Sequence, residues 1–345
     1  MLSTAALKQY VISKAFARIA LAATCIILLY RIVGPTKEQL RWAHYLHEDT
    51  ASDPVAEESL PSDVDWSKFA YCQYVTDEEY LCNSLMIFES LFRAGAKADL
   101  LMLYPDLWTI GERSNTGNLL AKAQDEYGVH LVPIKVQHLE GDYTWADGFT
   151  KLLAFNQTQY KRILSLDSDA TVLQAMDELF LLPSAPVAVP RAYWIDNTLS
   201  SLLVLLEPSR FEFERILTAF QTRDSRQFDM DIVNELYKDD CLIIPHRDYA
   251  LVTGEFGFMD HNRYLGNAEE IWDPDVILKA AKYVHFSDWP YPKPWIPAEA
   301  QMTYRQKPRC QHGEDGVPDC RNGEKWLWLY EDFRERRLRV CGPAF

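Results

Sequence analysis

From Trp66 onward, short and largely apolar runs alternate with longer ones whose apolar residues recur at helical spacing. "KFAYCQYVT" at 68–76 reads as a buried strand. "DEEYLCNSLMIFESLFRAGA" at 77–96 puts Leu81, Leu85, Phe88, Leu91 and Phe92 on one helical face. "DLLMLYP" is a second strand, "NLLAKAQDEYG" a helix, "HLVPI" a third strand, "FTKLLAFNQ" a helix and "RILSL" a fourth strand. Strands alternating with helices predict an α/β domain on a mostly parallel sheet with right-handed crossovers. Past Thr171 the pattern loosens. "VAVP", "LLVLLEP" and "CLIIP" are strand-like, with helices near 207–220 and 230–237, so the second half of the sheet is expected to be mixed. One domain over 66–345 accommodates all of this. Its tail, "EKWLWLYEDFRERRLRV", reads as an amphipathic helix that packs on the domain.

The start of the chain has a different texture. Residues 1–41 carry Lys8, Lys14, Arg18, Arg31, Lys37 and Arg41 against a single acid, Glu38. They frame "IALAATCIILLY", twelve uncharged residues from Ile19 to Tyr30. A membrane span needs about 20 largely apolar residues, and flanking arginines that snorkel extend this run to 15–33. No polar face breaks it, which argues against an amphipathic core helix. A cleaved signal peptide needs a small-x-small site after the run, and Tyr30-Arg31-Ile32-Val33 is a poor one. An uncleaved signal anchor therefore ranks ahead of a signal peptide. The positive-inside rule then leaves 1–14 in the cytosol and the rest of the chain in a lumen. Residues 34–65, rich in proline, serine and acids, read as a stem, with a short helix over 37–46.

The formal net charge of -15, without a basic stripe, excludes a nucleic-acid binder and leaves a small-molecule or carbohydrate partner. Cysteine usage suits an oxidising compartment. Setting Cys25 aside leaves six, and Cys310 with Cys320 is the best pair, because the loop between them has little apolar content to hold it. Cys72 and Cys82 read equally well as buried thiols. No Cys-x2-Cys spacing supports structural zinc. The sequon Asn156-Gln157-Thr158 is compatible with a lumen.

The chemistry starts at "RILSLDSDATV", where an apolar strand runs into Asp167-Ser168-Asp169. Two carboxylates there are costly unless a cation meets them. If strand geometry persists, both leave on one side, at the carboxyl end of the strand, where open α/β sheets bind ligands. Oxygen ligation suits Mn²⁺ or Mg²⁺ bridging carboxylates to phosphates. A solvated turn is the plain alternative. A sharper rival is the D-x-D-x-T-[VL] motif of haloacid-dehalogenase-type phosphatases, with Asp167 as nucleophile. That reading needs the first strand of a domain, and three strand-like runs precede this one. Its second acid cluster could only be "GEDGVPD", which sits between two cysteines.

"YVHFSDWPYPKPW" at 283–295 adds His285 at the end of a short apolar strand and Lys293 in the proline-stiffened run that follows. Each alone reads as a core histidine and a solvated lysine; with the two aspartates they clamp a metal-bound diphosphate. In "QYVTDEEYLCNS", Thr76 and Asp77 can hydrogen-bond a base and Tyr80 can stack on it, although capping of the helix explains Asp77 by itself. Neither G-x-G-x-x-G nor a P-loop occurs.

These residues resemble glycosyltransferase family 8, the glycogenin-like, nucleotide-sugar-dependent enzymes. "LDSDATV" and "VHFSDWPYPKPW" carry the likeness, which spans roughly residues 69–295. "PHRDYALVTGEF", "HFSDWPYPKPW" and "LYEDFRERR" are similar to fungal Golgi members of the N-acetylglucosaminyltransferase (glucose N-acetyltransferase-like) group. The resemblance implies a single-domain GT-A fold. It also implies Mn²⁺ held by Asp167, Asp169 and His285, with Lys293 on the diphosphate. Uridine would lie at Thr76, Asp77 and Tyr80, with Ser168 and Lys151 near the donor. "DMDIVNEL" resembles D-Q-x-x-x-N, which puts Asp229 at the reaction centre, with Met230 in place of the usual glutamine. "SSLLVLLEPS" resembles N-[ST]-G-x-x-x-x-x-P-S, with Ser200 and Leu202 replacing asparagine and glycine.

The implied protein is a type II Golgi membrane enzyme. It would move a sugar, GlcNAc first among the candidates, from a UDP-sugar to a glycan such as a mannoprotein chain, with retention at the anomeric carbon. Two other classes remain open. One is the phosphatase using Asp167, and the other is a luminal glycan-binding protein without catalysis.

Overall fold

The apolar runs of the first half pair in parallel. β1 (Phe69–Tyr74) lies between β2 (Asp99–Pro105) and β4 (Arg162–Leu166), and β3 (His130–Ile134) extends the sheet beyond β2. β4 then meets β7 (Leu203–Leu206) antiparallel, β7 meets β6 (Val187–Pro190) antiparallel, and β6 meets β8 (Leu242–Ile244) parallel. The sheet order is β3-β2-β1-β4-β7-β6-β8, a parallel core with a mixed second half as the sequence predicts. This computed structural model describes residues 60–135, 148–195, 198–224, 227–312 and 317–343. They belong to one compact unit, Ser62–Phe345, apart from Leu60 and Pro61. The expected tail at 1–14, anchor at 15–33 and stem up to residue 59 lie outside the described residues. Among the described residues no helix is long and apolar enough to cross a membrane.

Both faces of the central strands are covered, which is why they are largely apolar instead of alternating. On one face Tyr71, Met102 and Leu164 pack against α1 (Glu78–Arg93) and α2 (Asn115–Tyr127). The same core takes in Trp326, Leu329, Tyr330 and Phe333 of the terminal helix. On the other face Cys72, Leu101, Ile163 and Val204 pack against α3 (Gly148–Lys151) and the 3-10 turn Leu152–Asn156. That layer is completed by α4 (Arg210–Thr222) and α5 (Asp229–Tyr237). The helix expected over 149–157 is thus a single α turn followed by 3-10 geometry. Asp77 caps α1 by accepting the Tyr80 amide at 2.9 Å, and Glu78 and Glu79 suit the positive end of the helix.

A second, three-stranded sheet has no signature in the periodicity. β5 (Ala170–Val172) pairs antiparallel with β10 (Tyr283–His285), which pairs parallel with β9 (Leu251–Val252). Helix α6 (Pro274–Ala280) precedes β10. The two-residue strands β11 (Gln311–His312) and β12 (Pro318–Asp319) pair with each other, and Cys310 is bonded to Cys320 as expected. The terminal helix α7 (Arg321–Cys341) packs on the domain, and Cys341 is bonded to Cys82 of α1. Cys72 is a buried thiol, as one reading had it; Cys82 is not.

Candidate functional site

Strand geometry does not persist through Asp167-Ser168-Asp169. The chain leaves β4 at Leu166, turns, and re-enters as β5 in the second sheet. The register of β5 on β10 sets His285 opposite Ala170, and the Phe286 amide donates to the Asp169 carbonyl at 3.0 Å. His285 is thereby delivered to the carboxylates from far along the chain. One ligand atom each from Asp167, Asp169 and His285 lies within 4.8 Å of the others. Two carboxylate oxygens and an imidazole nitrogen, part-buried and convergent, are a donor set that fits a divalent cation.

Two lysines complete the charge pattern. Lys293 Nζ lies 2.6 Å from Asp169 Oδ2, and His285 Nε2 is 3.0 Å from Asp169 Oδ1. The same ammonium donates to the Phe286 carbonyl, closing the loop onto itself. Burial pushes the Asp169 carboxyl up, but the charges and hydrogen bonds of His285 and Lys293 outweigh it and hold the group well below the usual carboxylate range. Asp167 differs. Burial raises it to about 6 even against the attraction of Lys151. Lys151, only 3% exposed, sits 2.7 Å from Asp167 Oδ1 and 3.5 Å from Asp229 Oδ2, and also donates to the Ser201 carbonyl. Burial alone would favour its neutral form; Asp167 and Asp229 together reverse that and raise its affinity for a proton. Asp229 therefore reaches the same cluster from the start of α5.

The turn after β1 stands beside these groups. Trp295 of "KPW" docks on it, with Nε1 donating to Glu79 at 3.0 Å and its ring 5.8 Å from that of Tyr80. Thr76 is half-buried in the turn, Asp77 is exposed with one oxygen on the helix cap, and Ser168 is buried between the two aspartates. The segments that depart from the family pattern are also close. Asn234 of "DMDIVNEL" accepts from the Leu199 amide at 2.8 Å and donates to the Leu199 carbonyl at 2.9 Å, which holds the segment containing Ser200 and Leu202. Met230 is half-buried in the first turn of α5.

Several residues escaped sequence reasoning. Tyr74, at the carboxyl end of β1, has its hydroxyl pushed far up by burial and by the charges of Asp167, Asp229 and Asp169. Its place at the end of the first apolar run, one residue before Val75, the last apolar position ahead of the turn, was the available signal. Tyr283 donates to the Asp167 carbonyl at 2.8 Å. Gln73, wholly inside, donates to the Leu166 carbonyl at 2.8 Å and locks the ends of β1 and β4 together. Their roles depend on tertiary pairing and leave no local pattern.

No family model matches the chain. Glucose N-acetyltransferase 1 of Gibberella zeae is 53% identical to it over 289 residues, which is 81% of this chain and 63% of that protein. The chain thus spans less than two thirds of that relative. The Aspergillus fumigatus protein of the same name is 43% identical over 300 residues, 81% of this chain and 78% of its own length. Among solved structures, the galactosyltransferase LgtC with donor and acceptor sugar analogues shares 13% identity at a TM-score of 0.49, over 76% of this chain and 95% of LgtC.

Proposed function

This chain belongs to the fungal glucose N-acetyltransferase 1 family, and we propose that it is a glycosyltransferase of GT-A type acting on a UDP-sugar, UDP-GlcNAc first among the candidates. The observation that carries the reading is the convergence of Asp167, Asp169 and His285 beside Lys293 at the carboxyl edge of β1 and β4. These three would hold Mn²⁺, or Mg²⁺ in its place. When bound, the cation supplies charge neutralisation for a leaving diphosphate. The name of the relatives speaks of N-acetyl transfer. We read it as movement of the N-acetylated sugar, since a carboxylate pair flanked by two lysines suits a diphosphate.

The residues divide the work. Lys293 is within reach of both Asp169 and a phosphate placed on that side, and contributes a point charge to it. Thr76, Asp77 and Tyr80 line the turn where uridine would lie. Lys151 holds Asp167 and Asp229 in place, and Ser168, between the metal-binding carboxylates, lies near the donor. Asp229, exposed enough to meet the sugar, stabilises positive charge that develops at its anomeric carbon. With retention, the departing phosphate oxygen takes the acceptor proton, so no side-chain base is required. The acceptor is a glycan of the mannoprotein type, and the setting is the Golgi lumen, with residues 15–33 as a type II anchor.

UDP release from a panel of UDP-sugars with Mn²⁺, beside an Asp169→Ala control, tests the proposal. Release from one UDP-sugar that vanishes in the control supports it and names the sugar. No release together with no Mn²⁺-dependent UDP binding overturns it. Hydrolysis of a simple phosphomonoester by the same protein would then favour Asp167 as a phosphatase nucleophile.

A further inference from the structure

Asp288 lies between His285 and Lys293, and its carboxylate is a meeting point. Oδ1 accepts from the Trp326 indole at 2.9 Å; Oδ2 accepts from the Tyr330 hydroxyl at 2.7 Å and from the Thr253 hydroxyl. All three donors are uncharged, so the group is held by hydrogen bonds and not by a counter-ion. Such bonds to an ionised acceptor are among the stronger ones available. They join three separate pieces of chain: the Lys293 loop, α7 and the 3-10 turn Thr253–Gly257.

The neighbouring contacts run through the same loop. Thr253 also accepts from the Ser287 amide at 3.0 Å, and the Tyr291 amide donates to the Asp288 carbonyl at 2.7 Å. The rings of Phe286 and Tyr291 each lie 5.0 Å from that of Tyr330, on either side of Asp288 in sequence. A Cβ on Gly254 would stand 3.3 Å from the Ser287 carbonyl oxygen, so the close pass of the two segments is itself built in. Beyond the tip, Arg334 of α7 donates to the Pro294 carbonyl at 3.0 Å. The loop from 286 to 294 therefore takes its shape from α7, and Lys293 is the functional group at its end.

We propose that Asp288 is a positioning residue for Lys293, fixing the loop on α7 so that the ammonium meets Asp169 and the donor's phosphates. This rests on the donor-site reading above. His285 lies outside the dependence, because β10 is pinned by β5 and not by Asp288.

The test uses the purified full-length chain and two calorimetric titrations, Mn²⁺ alone and UDP in the presence of Mn²⁺. Asp288→Ala is expected to weaken UDP binding about tenfold, the effect of one charge-assisted hydrogen bond lost at the phosphate. Mn²⁺ binding alone should stay within about twofold, as for an uncoupled site. On a Lys293→Ala background the Asp288 change should cost nothing further, because its effect passes through the lysine. Multiplying effects, or equal losses of Mn²⁺ and UDP binding, would show a general structural role and overturn the inference. So would undiminished UDP binding by folded Asp288→Ala. If that variant does not fold, Tyr330→Phe removes one bond and keeps the ring, and about a threefold loss of UDP affinity is expected. Its binding UDP like the unaltered protein would overturn the inference. Absence of Mn²⁺-dependent UDP binding in the unaltered protein fails the donor-site reading itself, a separate result.

Discussion

Lys293 and Asp169 form an ion pair of 2.6 Å, made by an ammonium about a third exposed and a carboxylate largely enclosed. Under the proposed function the lysine competes with a cation for Asp169 while it attracts a phosphate. Removing it should move the two affinities in different directions. Lys293→Met is expected to leave Mn²⁺ binding unweakened and to cut Mn²⁺-dependent UDP binding by about 10- to 100-fold, the range for a hydrogen bond to a charged group. Titrations of each ligand separately measure this. Parallel losses of both would place Lys293 in the metal's own support instead.

The buried end of the cluster predicts a stability effect. Lys151 is the cation shared by Asp167 and Asp229, and removing one member of a buried ion pair leaves an uncompensated charge at a cost of about 3–5 kcal/mol. Lys151→Met should lower the melting temperature accordingly. Adding Asp229→Asn should recover part of the loss, because one of the two stranded charges is then gone. Asp229→Asn alone should fold normally and lose turnover. A Lys151→Met protein as stable as the parent would show that the carboxylates are satisfied in another way.

Much of this site was legible in the sequence, for physical reasons that can be named. The strands were visible because both faces of the sheet are covered, so that β1, β2 and β4 read as continuous apolar runs. Asp167 and Asp169 stood out because an acid pair at the end of such a run is costly. Their meeting with His285 was expected from the residue types and the family resemblance, but no spacing in the chain encodes it, since it depends on the register of two three-residue strands that carry no periodicity. Lys151 looked like an ordinary lysine in "FTKLLAF", and only the resemblance singled it out. Its burial has a reason once α5 brings Asp229 alongside. Asp288 carries no local signal of its role, because its three partners come from segments distant in the chain.

The Cys82–Cys341 bond ties the end of α7 to α1 across a separation of 259 residues. Closing so long a loop restricts the unfolded chain, with a typical gain of about 2–5 kcal/mol. The Cys82→Ser/Cys341→Ser variant should melt earlier than the parent under oxidising conditions. Arg336, which donates to Ser90 at 2.8 Å and Thr171 at 2.6 Å, still holds the helix, so turnover per folded molecule should persist. Loss of turnover in a folded, reduced protein would assign the bond a direct part in shaping the site.

The start of α7 predicts a pH dependence. Arg321 lies 2.8 Å from Asp319 and 2.9 Å from both Asp273 and Asp275. Its hydrogen bonds hold the Asp319 carboxyl below the usual range; burial pushes the Asp273 carboxyl up, but the bonds from Arg321 and two backbone amides bring it lower overall. A carboxylate whose folded value lies below its unfolded one stabilises the fold above the unfolded value. That contribution is lost as pH falls through the folded value. The stability gap between the parent and Arg321→Ala should therefore be full at neutral pH and shrink as pH drops below about 3.9, the ordinary aspartate value. All four side chains are about a third or more exposed, so the full gap should be only about 1 kcal/mol, and smaller in high salt. Denaturant unfolding at a series of pH values reads it directly. A gap that stays constant into the acid range would mean that packing, and not these charges, anchors the helix that carries Trp326 and Tyr330 to the Lys293 loop.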